Sequence, residues 1–248
     1  MTRSMYPLGL AAFSYLMAAS GAAAQQPPPA PISGPVKLTL DAGFVNAAGN
    51  TNVTTLNLGD NFEYRGSSMG FAQFANVVYG RTGDSTTAEQ IKGGLRVERK
   101  LVSVLHAFVG LTYERNRFAG LSRRFEEHAG LSLRMIDRPS DLWTFETGSS
   151  VNQQRSVANV VRNFLSLRFA TLFRHNFTKT AYLSESAEFL PSMENSQDYL
   201  VNSETAVVVP VAGIVALKVS YLVKFDHLPE PGFRRSDRVL STGLQITF

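Results

Sequence analysis

From residue 36 onward, apolar and polar residues alternate with a period of two. The clearest run is Val215 to Asp226. Val215, Leu217, Val219, Tyr221, Val223 and Phe225 occupy one phase, and Lys218, Ser220, Lys224 and Asp226 the other. A helix would mix these sets around its circumference, whereas a strand places them on opposite faces. Leu165, Leu167, Phe169 and Phe173 repeat the pattern against Ser166, Arg168 and Arg174. Leu105, Ala107, Val109, Leu111 and Tyr113 do so against His106, Gly110, Thr112 and Glu114. Turn signals between such runs predict about twelve strands, over 36–47, 53–65, 70–82, 88–99, 103–115, 121–135, 141–153, 161–174, 178–190, 197–209, 213–226 and 236–248.

Strand length separates the possible architectures. These segments run to roughly 10–15 residues, where a soluble strand averages about 5–6 and a tilted membrane strand needs about 9–11. The connections also fall into two sets. Residues 66–68, 137–140 and 210–213 are short turns, whereas 47–52, 82–87, 116–120, 154–160, 191–197 and 227–235 are longer. Short turns at one end and longer loops at the other are the asymmetry of an outer-membrane barrel. Tyr64, Tyr113, Trp143, Phe173, Tyr199 and Phe225 lie near predicted strand ends, where aromatic girdles form at membrane interfaces. The expectation is an all-β, antiparallel transmembrane β-barrel of about twelve strands, its sheet closed so that no backbone edge is left unpaired in lipid.

Composition narrows this further. Charged residues make up 18% and there is no cysteine, which excludes disulfides, thiolate metal sites, a cysteine nucleophile and a lipoprotein anchor. The amino terminus has the layout of a cleaved secretory signal: Arg3, an apolar stretch from Leu8 to Ala19, and Ala22-Ala23-Ala24 before Gln25. The Pro-rich segment that follows reads as an extended linker. The domains are therefore a signal peptide, 1–24, a Pro-rich linker, 25–35, and a barrel, 36–248, in the bacterial outer membrane. Removing Arg3 with the leader leaves 23 of 24 basic side chains against 20 acidic ones, too balanced to imply nucleic-acid binding.

Several stretches carry a resemblance. They are Ala48 to Asn52, then Tyr113 to Arg124, then Leu217-Lys218-Val219-Ser220-Tyr221 with Asp226, Pro229, Gly232, Asp237, Gly243, Leu244 and Phe248. In this order they resemble the bacterial domain of unknown function 481 family, often described as salt-induced outer membrane proteins. Gly130-Leu131-Ser132-Leu133 departs from the more glycine-rich strand expected there. The resemblance implies an outer-membrane barrel and a setting in salt or osmotic stress, and it supplies no catalytic residues.

The polar phase holds charges of both signs. Arg96, His106, Glu114, Glu126, His128, Arg134, Arg168, Lys218 and Lys224 are the lumen-facing candidates. Paired across strands they would brace and plug a narrow barrel; unpaired, they would line a pore. Mixed sign favours a partly wet network with little ion selectivity. His106 and His128 on one hairpin, with Glu126 nearby, would offer a zinc site if they lay close, but no metal or other cofactor is expected. Nine arginines concentrate in or beside the long loops, and of these Arg115, Arg117, Arg123, Arg124, Arg234 and Arg235 are candidates for contact with lipopolysaccharide phosphates. A last strand ending at Phe248 resembles the signal read by the outer-membrane assembly machinery. A monomer with a structural or narrow-channel role follows, not an enzyme. The alternatives are a barrel enzyme acting on envelope lipids or peptides, and a soluble periplasmic β-protein binding an apolar ligand.

Overall fold

The computed structural model describes residues 35–48, 53–82, 85–178, 180–229 and 231–248. The expected signal peptide, and all of the expected linker but Pro35, lie outside the described residues. Twelve strands follow one another: β1 (Val36–Ala48), β2 (Val53–Arg65), β3 (Met69–Thr82), β4 (Ser85–Lys100), β5 (Leu105–Asn116), β6 (Leu121–Asp137), β7 (Asp141–Ser156), β8 (Val161–Asn176), β9 (Tyr182–Pro191), β10 (Tyr199–Ala212), β11 (Val215–Asp226) and β12 (Ser236–Thr247). Each pairs antiparallel with its sequence neighbours, and β12 pairs with β1 to close the barrel. At closure Leu38 donates its N–H to the Phe248 carbonyl at 3.2 Å, and Phe248 returns one to Leu38 at 2.9 Å.

Alternation decides what faces where. On β7, Leu142, Thr144, Glu146, Ser150, Asn152, Gln154 and Ser156 are buried inside, while Trp143 and Phe145 are each 42% exposed outside. The outer wall is apolar from strand to strand, with Phe44 68% exposed and Leu40, Leu58, Val109, Leu217 and Leu244 also outward. Aromatic side chains concentrate toward both ends. Tyr64, Trp143 and Phe173 lie near the short turns. Near the loops, Tyr113 meets Phe125 with ring centroids 5.0 Å apart, and Tyr199 stacks on His227 at 4.6 Å.

The expected difference between the two ends is smaller than the sequence implies. Several strands continue through polar residues into what reads as loop: Gln153, Gln154 and Arg155 still pair with Asn163, Arg162 and Val161. Residues 116–120 shrink to a single 3-10 turn, Arg117–Ala119, closed by Gly120 at φ 80°. The connections that remain long are 192–198 and 227–235.

Two pairs of glycines mark the seams of the wall. Gly130 faces Gly148 across β6 and β7, and Gly43 faces Gly243 across β1 and β12. A Cβ on any of the four would stand 2.3 Å from a carbonyl oxygen of the neighbouring strand, so only glycine permits the approach. The seams divide the barrel into β1–β6 and β7–β12, and therefore lie opposite one another.

Candidate functional site: the lumen

The inward phase builds a stacked ionic network. In the middle, Glu146 of β7 accepts from Arg96 of β4 at 2.6 and 3.2 Å and from Arg168 of β8 at 2.7 Å. Arg168 continues to Glu188 of β9 at 2.8 Å, and Glu188 takes a further bond from Asn202 of β10 at 3.0 Å. Phe108 of β5 sits among them, with the Arg96 and Arg168 guanidinium carbons 3.9 and 5.7 Å from its ring centroid. Such cation–π contacts strengthen when water is excluded.

Toward the loops, Glu114 of β5 collects three cations: Lys224 at 3.1 Å, Lys92 at 3.9 Å and Arg124 at 4.0 Å. Lys224 belongs to β11, six strands from β5, so this pair bridges opposite walls. A second belt runs along the other half, where Lys218 and Gln245 donate to Asp41 at 3.2 and 3.0 Å and Tyr182 donates to Gln245 at 3.2 Å. Arg174 lies over the Tyr182 ring at 4.3 Å. Toward the turns, Glu98 joins His106 at 2.8 Å and Arg134 at 3.1 Å, and Arg134 also reaches Asp137 at 2.9 Å.

Burial shows what this network does to the bore. Glu126 is 0% exposed, Glu188 2%, Lys92 3% and Glu114 4%. Charges lining an open aqueous channel would be wet, whereas these are packed by protein: Glu188, Lys92 and Glu114 each face an opposite charge, and Glu126 has the His128 ring at 3.4 Å. The lumen is plugged through its middle and upper levels, with a small vestibule at each end. At the loop end Phe233 reaches over Gly120, carrying the 227–235 connection toward β5 and β6.

All nine lumen candidates lie in or beside this network, in separate clusters. His106 and His128 do not come together: His106 is opposite Ser132 and His128 opposite Gly110, four positions along the hairpin, and they take different carboxylates, Glu98 and Glu126. The arginines divide as well. Arg123 points outward and is exposed, whereas its neighbour Arg124 points in and donates to Gln154 at 3.0 Å, which removes Arg124 from any lipid contact. Arg115 and Arg117 share Glu89 at 2.8 and 3.8 Å, and Arg234 and Arg235 border the loop-end vestibule. Asp41, Phe108, Arg174, Tyr182 and Gln245 are network members that the sequence reading does not single out. Phe108 had a readable signal, since it falls in the polar phase of β5 beside His106 and Gly110.

Residues 40–248 match the family described as "Protein of unknown function, DUF481". The chain is 23% identical over 222 residues to the uncharacterized protein YdiY of Escherichia coli (strain K12), covering 88% of this chain and 86% of that one. Among solved structures, the NanC porin aligns with TM-score 0.57 at 8% identity, over 84% of this chain and 98% of that one. The translocator domain of the autotransporter NalP from Neisseria meningitidis aligns with TM-score 0.51 at 10% identity, over 88% and 90%. Both share the barrel fold.

Proposed function

The chain belongs to the DUF481 family, and from that footing we propose that it is a bacterial outer-membrane β-barrel with a structural or narrow-channel role in the envelope, and not an enzyme. The observation that carries this reading is the Lys224–Glu114 pair, which joins opposite walls inside a barrel whose outer wall is apolar. An exposed apolar wall suits lipid, and a bore crossed by buried ion pairs suits a sealed barrel that conducts only when those pairs part. The short turns then face the periplasm and the longer loops the exterior. Salt or osmotic stress is the setting that the family resemblance implies.

Partners follow from placement. Arg115, Arg117, Arg123, Arg234 and Arg235 stand at the loop end, where outer-leaflet phosphates would lie, and their replacement by Gln should weaken lipopolysaccharide retention. Unchanged retention would remove that contact. The Phe248 ring is 63% exposed at the end of β12, accessible to the assembly machinery before closure. The barrel acts as a monomer.

The test has two stages. Native protein from washed outer membranes should change electrophoretic mobility on boiling; a soluble periplasmic protein with no shift would sink the barrel reading. In planar bilayers the wild type should be nearly silent, and Lys224→Met should raise conductance. A wild type that conducts steadily like an open porin would overturn the sealed lumen.

One observation bears on the enzyme alternative. Glu98 orients His106, and Ser132 stands opposite His106 across the hairpin, but the His106 Nε2 takes no hydrogen bond, so the serine is not activated. The apolar-ligand alternative requires buried outward rings, and Phe44, Trp143 and Phe145 are exposed.

A further inference from the structure

The turn-end vestibule is a built site in its own right. It is a cavity of about 190 Å³ beneath the Arg96–Glu146 level, larger than the roughly 150 Å³ that suffices for a benzene-sized guest. Four fixed cations line it, Arg65, Arg96, Lys100 and Arg134, against three carboxylates, Glu98, Asp137 and Glu146. The excess is positive.

Thr144 and His106 on its lining each carry a buried polar atom unmatched among the described residues. Thr144 is 3% exposed and its hydroxyl has no hydrogen-bond partner; His106 is 7% exposed and its Nε2 has none. Leaving such groups unmatched is unfavourable, so they mark where a guest is wanted. The tautomer is set by the neighbour. A carboxylate only accepts, so the His106 Nδ1, 2.8 Å from Glu98, carries hydrogen, and Nε2 is the nitrogen left for a guest. A guest anion would favour the imidazolium, which donates from both nitrogens, to Glu98 and to the guest, with Arg134 and Lys100 on the same lining.

We propose that this vestibule binds a small oxyanion, a phosphate or carboxylate, through the Thr144 hydroxyl and the His106 Nε2 within the field of Arg65, Lys100 and Arg134. The proposal rests on the outer-membrane reading only for naming this end periplasmic, where such a guest would arrive from inside the envelope. Binding itself is a property of the folded barrel in any medium.

The experiment uses the full mature chain in detergent, its closed state verified by heat-shifted mobility. Inorganic phosphate is titrated by calorimetry and followed by NMR of the imidazole nitrogens, with His106→Gln serving only to assign the His106 signal. Phosphate should saturate and move the His106 signal while leaving rim-exposed His175 in place. Acetate should compete, identifying the carboxylate arm, and glucose should not bind. The near-isosteric Thr144→Val should weaken phosphate about tenfold, the loss expected for one hydrogen bond to a charged partner. Absence of saturation, saturation without a His106 response, or glucose displacing phosphate would each overturn the proposal. Because none of these readouts needs a membrane, their failure leaves the outer-membrane reading standing, and failure of membrane localisation leaves them intact.

Discussion

Glu146 holds two guanidinium groups at once, Arg96 and Arg168, and Arg168 reaches a second carboxylate on Glu188. Removing the shared carboxylate leaves two cations beside each other in packed surroundings, with only Glu98 and Glu188 to offset them. Glu146→Ala should therefore cost about 3–5 kcal/mol, read by urea titration of the protein in lipid vesicles, while Glu146→Gln should cost less by keeping two acceptor–donor contacts. A different residue-scale feature lies on the outer wall. Glu185 of β9 points outward and accepts from Ser203 at 3.2 Å and from Thr205. A carboxylate on a lipid face is unfavourable by an amount that depends on depth, so Glu185→Leu should raise stability in the same titration by about 1 kcal/mol. Period-two reading assigns Glu185 to the outer face but supplies no reason for it; the reason is the hydroxyl pair on β10, which only the register reveals.

The β6–β7 seam shows how an element depends on a residue type that carries no charge and no apolar surface. Gly130 and Gly148 let the two backbones bend toward each other, and any side chain there would strike a carbonyl. Gly148→Val should abolish the heat-resistant band on electrophoresis, whereas valine at the adjacent outward Ser149 should preserve it. The strands themselves were legible, because alternation is a local property and twelve runs of it stand in the sequence. Their lengths were less so. β7 extends to Ser156 and β4 begins at Ser85, because polar residues keep pairing above the apolar belt, where hydrophobic phase no longer marks a strand.

At the scale of the molecule, the pairs that close the lumen join residues far apart in sequence: Lys224 with Glu114, Arg96 with Glu146, Lys218 with Asp41. Alternation says that these side chains face inward. Which one meets which depends on strand number, stagger and the bends at the seams, all of which are fixed only when the sheet is complete. Double replacement Glu114→Gln with Lys224→Met should open the barrel no further than Lys224→Met alone if the bridge acts as a unit, a comparison made by conductance. Completion also has a schedule. Adjacent hairpins can form as soon as their own residues are available, but β1 finds its second partner only in β12, across nearly the whole length of the chain. Until then β1 keeps one row of peptide groups unsatisfied, which lipid tolerates poorly and which makes this last pairing the slowest kind of contact to find. Assembly thus has a single late commitment step, and a chain stalled before its final strand remains an open sheet that must be sheltered or degraded.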